Sequence, residues 1–367
     1  MNRVSTPIQA SLWSEETDQW YIIPQLSGEP KPRSQHKAKP LPEVPTPTLW
    51  PQESSARPRT IAELQTFVAT FQYQPRPVPI RSFQRADARL DVYRSGYEIL
   101  HTNPASNLWS AYACRAEAIV SLSGGLGSAV AAERAIQKHG RENVLLWFAD
   151  VLEENEDLYR FLHDLMKRWG GRLFWYTDGR RPVDIWTKHQ LIPNSLIAPC
   201  TFELKVKPFR DFIQAMPSLP LVYIGYKPHE TRRHKKTLQS YAEALPEAHV
   251  EYPLLWEPQE KRDLLEVCEQ ELGIDPPLLY KLGYDFNNCG GGCCRSGIKA
   301  WTRTALFFPT IFAHRSAWEQ AARAQGGARE NRSFAARTRD GEKQALTLQQ
   351  IQEEYVPHAP SLLKLEA

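Results

Sequence analysis

A glycine-rich stretch in the first half of the chain has the residue types of a phosphate-binding loop. The apolar run from Ala118 to Leu122 is followed by Gly124 and Gly125, and the sequence then becomes rich in helix formers. A strand, a glycine turn and a helix start present free main-chain N–H groups and the positive end of a helix dipole to an anion. This pattern predicts a site for phosphate or pyrophosphate. Its candidate contacts are Ser121, Ser123, Gly124, Gly125, Gly127 and Ser128.

Two common phosphate loops do not match this stretch. It lacks the Gly-Lys-Ser/Thr ending of the Walker A loop, and its glycines do not follow the GxGxxG spacing of dinucleotide-binding folds. For so short a motif, a strand–helix turn that binds no ligand is the alternative interpretation.

Four cysteines have the spacing of a metal–thiolate site. Cys289, Cys293 and Cys294 lie within six residues around three glycines, and Cys200 lies well upstream. Thiolates held this closely can converge on one ion or cluster, and the residue types alone do not separate zinc from iron–sulfur. The alternative is a metal-free group of packed cysteines.

The elements that must position these residues alternate between strand and helix. Strands are predicted at 118–122, 143–149, 172–176 and 221–225, and helices at 128–139 and 156–169. Such alternation predicts an α/β fold with a doubly wound parallel sheet, whose ligands bind beyond the carboxyl ends of the strands. The glycine loop and Asp150 both follow predicted strands.

The segment Ser-Gly-Gly-x-Gly-Ser after a strand resembles the PP-loop of the N-type ATP pyrophosphatases. It is most similar to the phosphoadenosine-phosphosulfate (PAPS) reductase-like branch, whose usual loop is Ser-Gly-Gly-x-Asp-Ser, so Gly127 stands where that branch has an aspartate. The resemblance implies a HUP, or adenine nucleotide alpha-hydrolase-like, fold. It also implies ATP with Mg²⁺ as ligand and cleavage between the α- and β-phosphates.

Three later motifs resemble those of the same branch, in the same order. An acidic stretch begins at Asp150, the segment Cys-Thr-x-x-Leu-Lys ends at Lys205, and the segment Gly-x-x-x-x-Glu-x-x-Arg begins at Gly225. The resemblance places Asp150, Gly225 and Glu230 at the nucleotide. It makes Lys205 and Arg233 the candidate catalytic residues, and arginine suits this role because it binds phosphate with two hydrogen bonds.

Four further acids follow Asp150 in the sequence. We predict that they cap the next helix and complement its dipole rather than take part in chemistry. They are Glu153, Glu154, Glu156 and Asp157.

The order of one cysteine and then a tight cluster resembles assimilatory sulfonucleotide reductases and DNA-phosphorothioation proteins, which hold a 4Fe–4S cluster. The resemblance implies that Cys200, Cys289, Cys293 and Cys294 are ligands of a 4Fe–4S cluster, with zinc as the alternative. Those reductases have paired cysteines at the first motif and Cys-x-x-Cys at the second, whereas this chain has Cys200 alone and Cys-x-x-x-Cys-Cys. They also need a nucleophilic cysteine near the C-terminus, and none follows Cys294, so reductase activity is not expected.

Composition narrows the remaining possibilities. The chain has 367 residues, 42% of them hydrophobic, which suits one large domain or two modest ones. A net charge of +3 gives no global reason to expect nucleic acid. Clustered cysteines, together with no apolar run of membrane length and no apolar signal segment, predict a cytoplasmic protein without a membrane partner. Cys114 and Cys268 are expected to be buried as small apolar side chains.

Three regions are predicted from the changes in composition. Residues 1–115 form a Pro-rich, partly extended arm, since twelve of the 29 prolines lie between Pro24 and Pro79. Within the arm, Thr60 and Glu63 have the spacing of a helix-capping box. Residues 116–256 form the nucleotide-binding α/β domain, and residues 257–367 form a helical region with the cysteine cluster and many basic residues.

Part of the C-terminal region carries a local positive charge. Residues 295–343 contain ten Lys or Arg and four Asp or Glu, interleaved with Trp301, Phe307, Phe308 and Trp318. Such a segment can contact nucleic acid through phosphates and base stacking. The alternative is that the aromatic side chains are core and the arginines are solvated.

Three functions compete at this point. The first is an ATP-binding enzyme that adenylylates a substrate and releases pyrophosphate, for sulfur transfer or nucleic-acid modification, with a nucleic-acid substrate or a sulfur-donor protein as partner. The second is a non-catalytic nucleotide- and metal-binding subunit of a larger defence or mobile-element complex. The third, a PAPS reductase, is disfavoured because no cysteine follows Cys294.

Overall fold

The structure is a computed structural model that describes residues 60–227, 230–255, 264–339 and 341–365, together with the backbone of residues 11–14 and 19–22. The proline-rich patches between residues 23 and 59 lie outside the described residues. Two short strands, β1 (Ser11–Ser14) and β2 (Gln19–Ile22), pair with each other in antiparallel fashion.

Eight strands form the main sheet of the molecule. They are β3 (Arg81–Gln84), β4 (Ala88–Val92), β5 (Tyr97–Thr102), β6 (Ala118–Ser121), β7 (Val144–Asp150), β8 (Gly171–Thr177), β9 (Leu221–Tyr223) and β10 (Val250–Glu251). Their order is β10-β9-β6-β7-β8-β5-β4-β3. Pairing is parallel from β10 to β5 and antiparallel from β5 to β3. The predicted α/β class with a parallel sheet is therefore confirmed.

The strand order contains a topological switch point. After β6 the chain adds β7 and β8 on one side, and it then returns to add β9 and β10 on the other side. In open α/β sheets a crevice for ligands forms where the order reverses, outside the carboxyl ends of the strands. Here that position lies between β6 and β9.

Fourteen α-helical segments lie in the described part of the chain. They are α1 (Ile61–Thr70), α2 (Pro104–Tyr112), α3 (Leu126–His139), α4 (Glu156–Trp169), α5 (Pro182–Lys188), α6 (Pro199–Thr201), α7 (Lys207–Ala215), α8 (Thr231–Ala244), α9 (Leu264–Glu266), α10 (Leu278–Lys281), α11 (Ile298–Phe307), α12 (Pro309–Ala324), α13 (Leu348–Glu354) and α14 (Ala359–Leu363). Two π-helical turns, Phe202–Val206 and Val267–Leu272, continue α6 and α9. None of the helices in these ranges combines the length and apolar character that a bilayer crossing requires.

Apolar layers cover both faces of the sheet. Helices α3 and α4 pack on one face, and α2, α7 and α8 contribute side chains to the layer on the other. Because both faces are covered, all seven residues of β7 are buried, as its continuous apolar sequence predicts.

Local sequence signals set several helix ends. Thr60 and Glu63 form the predicted capping box at the start of α1, with both reciprocal hydrogen bonds present. Helix α4 has the predicted bounds and stops at Gly170, whose φ of 70° favours glycine. Helix α3 begins at Leu126, two residues earlier than predicted.

One part of the predicted arm belongs to the main sheet. Residues 81–102, placed in the arm by the sequence interpretation, form β3, β4 and β5, and β5 pairs with β8 of the predicted α/β domain. The missed signal is a hairpin: Gly96, with a φ of 80°, turns the chain between two apolar strands. A proline count over the whole arm hides this short signal.

The C-terminal region is mainly helical, as predicted. It also contains an antiparallel hairpin of β11 (Ala335–Arg339) and β12 (Glu342–Leu346). Its apolar side chains form a cluster with Trp186, Cys200 and Cys294, so this region packs against the segment that carries the first cysteine motif.

Candidate functional site

The glycine loop connects β6 to α3 at the switch point. Gly125 is the N-cap of α3, and Gly124 has a φ of 73°. A Cβ on Gly124 would lie 2.7 Å from Leu158 Cγ, so both backbone conformation and space require glycine at this position.

Two serines brace the loop from within. Ser128 Oγ donates to the carbonyl of Gly125 (2.8 Å) and accepts from the Ser123 N–H (3.0 Å) and the Ser123 hydroxyl (3.1 Å). These bonds fix the curvature of the loop without a ligand. Ser123 and Ser128, two of the three predicted serines, therefore have a defined structural role here.

Several N–H groups of the loop have no acceptor in the described part of the chain. The first helical bond of α3 joins the Ala129 N–H to the Gly125 carbonyl, and the Leu126 N–H donates to the Tyr280 hydroxyl (3.3 Å). The N–H groups of four other loop residues form no hydrogen bond to another described residue. They belong to Gly124, Gly125, Gly127 and Ser128. Free donors at a helix N-terminus suit an anion such as phosphate.

Gly127 and Gly225 are in main-chain contact. A Cβ on Gly127 would lie 2.6 Å from the Gly225 carbonyl oxygen, and a Cβ on Gly225 would lie 2.2 Å from the Gly127 oxygen. The contact brings the loop after β9 against the first turn of α3. It also gives a steric reason for Gly127: an aspartate here would collide with the backbone of the neighbouring loop.

The loop after Gly225 holds its charged residues in pairs. Glu230 accepts a hydrogen bond from the Lys227 N–H (2.9 Å) and forms an ion pair with Arg233. The Arg233 guanidinium also lies 4.7 Å from the centre of the Tyr226 ring. Gly225 touches the glycine loop directly, whereas Glu230 and Arg233 bind each other, so their predicted contacts with a nucleotide stay predictions.

Asp150 is buried at the carboxyl end of β7, as predicted. Its Oδ1 accepts from the Leu152 N–H (2.8 Å) and the Tyr159 hydroxyl (2.9 Å), and its Oδ2 accepts from the Trp175 indole (3.1 Å). These donors come from β8, α4 and the turn before α4. Its carboxylate is therefore engaged in bonds that hold α4 on the sheet, and its predicted role toward ribose or Mg²⁺ stays a prediction.

The four predicted cysteine ligands lie together. Cys200 Sγ is 3.9 Å from Cys294 Sγ, and further hydrogen bonds join Cys289 to Cys293 and Cys293 to Cys294. In a tetrahedral zinc site with bonds of about 2.3 Å, neighbouring sulfurs are about 3.8 Å apart. The sulfurs form a chain of contacts, and no three Cys, His, Asp or Glu side chains in the described ranges are arranged around one point as metal ligands.

The pKa values of the four thiols shift in different directions. The hydrogen bond from Cys294 lowers the pKa of Cys200 to about 7, against the effect of burial. Hydrogen bonds from Cys289 and Cys294 also lower the pKa of Cys293, while the same bonds and burial raise the pKa of both donors. Two of the thiols are thus favoured as thiolates, the form that binds metals.

Lys205 lies beside the thiols rather than on the solvated surface. Its Nζ is 3.1 Å from Glu154 Oε1, and the other Glu154 oxygen accepts from the Cys289 N–H. The Glu154 side chain is fully buried, and burial raises the pKa of its carboxyl. Burial alone would lower the pKa of Lys205, but the negative charge of Glu154 and its hydrogen bond to Lys205 raise this pKa and outweigh burial. Lys205 is therefore a cation at neutral pH.

The first two acids after Asp150, Glu153 and Glu154, do not cap α4. Glu153 pairs with the buried Arg315, which also donates to the Gly292 carbonyl, and Glu154 binds Lys205. The N-cap of α4 is Asn155, whose Oδ1 accepts from the Asp157 N–H. The predicted capping role is therefore wrong for Glu153 and Glu154, because the Glu153 carboxylate binds Arg315 and the Glu154 carboxylate binds Lys205 and the Cys289 N–H.

Asn287 connects the two sites. Its Nδ2 donates to the Gly124 carbonyl (2.9 Å), and it stands two residues before Cys289. The side chain is buried, and its Oδ1 has no hydrogen-bond partner in the described part of the chain. Sequence reasoning missed Asn287, although its position directly before the cluster offers a signal.

The aromatic residues of the basic segment belong mainly to the core. Trp301 and Phe307 are buried, and Phe308 and Trp318 are partly buried. The alternative stated from the sequence therefore accounts for the aromatic side chains, which pack inside the C-terminal region rather than on an open basic face.

No protein-family model matches the chain, and a search of curated proteins finds no match either. The glycine loop, the Gly225 loop and the thiols must therefore be interpreted from their own geometry and from the motifs that they carry.

Proposed function

We propose that the chain is an ATP-binding PP-loop enzyme of the PAPS reductase-like, HUP-fold type. It adenylylates a substrate with release of pyrophosphate and serves sulfur transfer or nucleic-acid modification. In the reaction a substrate oxygen attacks the α-phosphorus, the bond from that phosphorus to the bridging oxygen breaks, and pyrophosphate leaves with its electron pair. A sulfur donor then displaces AMP from the activated substrate.

The position of the glycine loop carries this proposal. The loop combines a helix N-terminus, free N–H donors and contact with the Gly225 loop at the switch point of the sheet. Main-chain donors fixed in advance stabilise charge that develops on a leaving pyrophosphate. In this proposal Arg233 exchanges its partner Glu230 for a phosphate oxygen, and Asp150 orients the ribose or Mg²⁺.

The donor set also suits a metal–thiolate centre. Cys200, Cys289, Cys293 and Cys294 would hold the metal, and Lys205 and Arg315 would balance the negative charge of the thiolates. When bound, a zinc ion would act as a Lewis acid held by these soft thiolate ligands, and a 4Fe–4S cluster would add an electron-transfer centre. The hydrogen bond from Asn287 to the Gly124 carbonyl would fix the position of this centre relative to the glycine loop.

A second candidate function follows from Gly127. The main-chain contact with Gly225 leaves no space at position 127 for the aspartate that the PAPS reductase-like loop carries there. A site that cradles ATP without that carboxylate suits a nucleotide- and metal-binding subunit of a larger complex.

ATP binding and turnover separate the two functions. We expect ATP·Mg²⁺ to bind in calorimetry, and Ser123→Glu to weaken binding by more than about tenfold, because a carboxylate beside the phosphates repels them. Ser218→Glu, on an exposed turn before β9, is the matched control and should bind normally. Pyrophosphate release should then be measured with tRNA, DNA and small acceptors. Tight binding without turnover on any of them favours the second function.

Metal content tests the thiol centre independently. After anaerobic purification, iron or zinc should be present, and Cys294→Ser should remove most of it, whereas Cys114→Ser should not, because Cys114 bonds only to the Ser110 carbonyl among the described residues. Absorbance in the visible range separates an iron–sulfur cluster from zinc. A colourless protein without iron and zinc would contradict the proposed centre.

A further inference from the structure

A cavity of about 420 Å³ lies over the outer part of the sheet. Strands β3, β4, β5 and β8 contribute residues to it, β7 contributes Asp150, α4 contributes His163, and the segment at 76–79 lines one side. Ligand sites for small molecules have volumes of about 300–1,000 Å³. The cavity includes no residue of the glycine loop and no cysteine, so its side chains need a separate explanation.

Asp91 organises one wall of the cavity. Its buried carboxylate accepts hydrogen bonds from the Ser82 hydroxyl (2.7 Å) and from Arg89 Nε (3.2 Å). His101 Nε2 is 3.0 Å from the same carboxylate. A carboxylate can only accept, so Nε2 carries the proton and Nδ1 is left as an acceptor.

His101 is neutral in this setting. Burial lowers its pKa to about 4, and the nearby Arg89 adds to the effect. Because the ring is uncharged and its tautomer is fixed by Asp91, Nδ1 has a lone pair at neutral pH. The lone pair suits a hydroxyl or amine donor on a ligand.

Two arginines are fixed around the same cavity. Arg76 donates Nε and Nη2 to Glu156, and its guanidinium lies 3.8 Å from the centre of the Tyr159 ring. Arg89 uses Nε and Nη2 on Asp91. In the described ranges, neither Nη1 forms a hydrogen bond to another residue. Each guanidinium is thus oriented by one partner and keeps donors for a second, which is the arrangement that binds carboxylate or phosphate.

Aromatic rings give the cavity a rigid wall. Trp175 stacks on Tyr159 with 5.4 Å between ring centres, and its indole is tied to Asp150. The buried His163 is held by the Tyr97 hydroxyl at 2.8 Å. A wall whose side chains are fixed before binding lowers the entropy cost of taking up a ligand.

We propose that this cavity binds a small organic anion, bearing a carboxylate or a phosphate ester, whose charged group is held by Arg76 and Arg89 and whose hydroxyl or amine donates to His101. The site goes beyond the proposed function, because it uses neither the glycine loop nor the thiols. It shares Asp150 with the residues proposed for the nucleotide, so competition with ATP decides whether the cavity is a separate site.

Calorimetry on the full chain with malate and with glycerol 3-phosphate tests the proposal, since each probe combines an anion with a hydroxyl donor. We expect saturable binding of at least one probe, and the stronger one identifies the carboxylate or the phosphate source. Arg76→Gln should weaken binding of that probe about tenfold or more, because a charged hydrogen bond is lost. Arg81→Gln, exposed on β3 outside the cavity, is the matched control and should bind normally.

A second variant protects the test against misfolding. His101→Phe keeps a ring in the cavity and removes the hydrogen-bond acceptor. It should therefore also weaken binding of the probe, while ATP binding stays unchanged. Three results would overturn the proposal: no saturable binding of either probe, equal affinity in Arg76→Gln and Arg81→Gln, or displacement of the probe by ATP. The last result would show that the cavity belongs to the nucleotide.

Discussion

The glycine loop and the thiol group are neighbours built in opposite ways. The loop offers main-chain donors from one continuous stretch of sequence, and its hydroxyls are spent on bracing it. The thiol group offers side chains from two distant segments. The charged side chains bound beside it, Glu154, Lys205 and Arg315, come from three further positions.

The two sites are therefore sensitive to different kinds of substitution. A loop built from main chain is sensitive to added atoms, because its glycines touch other backbone or side chains. A site built from side chains is sensitive to lost partners, because its charges are buried. Three substitutions test this contrast.

The largest effect is expected at Lys205. Lys205→Met leaves the fully buried Glu154 carboxylate without its cation, which should lower the free energy of unfolding by about 3 kcal/mol. Urea denaturation measures the change. The double variant with Glu154→Gln should recover part of the loss, because no unpaired charge then remains. A stable single variant would show that the pair is not buried in solution.

A smaller effect is expected at Asn287, the connection between the two regions. Asn287→Ala removes the bond to the Gly124 carbonyl and should cost about 1–3 kcal/mol in unfolding free energy. ATP affinity should fall as well, since Gly124 loses its support. Asn331→Ala, on an exposed turn, is the control. Loss of stability with unchanged ATP affinity would separate the loop from the thiol segment.

The smallest effect is expected at Gly127. Alanine is favoured over glycine in helices by about 1 kcal/mol, yet the new Cβ meets the Gly225 carbonyl, and overpacking costs about 1–3 kcal/mol. The net change in thermal denaturation should therefore be a modest destabilisation. Gly297→Ala, whose Cβ would meet nothing within 4 Å, is the control without a steric clash. Because Gly297 is the N-cap of α11, this change should cost about 0.5–1 kcal/mol. A stabilised Gly127→Ala would mean that the two loops separate in solution.

Sequence reasoning was most successful where the signal is local. The parallel sheet, α4 with both bounds, and the capping box at Thr60 follow from periodicity and from residues three or four apart. It failed for β3 to β5, because a short hairpin inside a proline-rich region was averaged away. It also failed for Glu153 and Glu154, whose partners are distant in sequence.

The sequence by itself determined the glycine loop, since a strand, two glycines and a helix start specify a conformation within ten residues. The spacing of the cysteines also predicted that Cys200 lies near Cys289, Cys293 and Cys294. Only the tertiary structure decided that Gly127 faces the backbone of Gly225, that Lys205 and Glu154 lie against the cysteines, and that Asp150 bonds to α4 and β8. The physical reason is that main-chain conformation depends on neighbours in sequence, whereas partners for buried charges come from wherever the fold brings them.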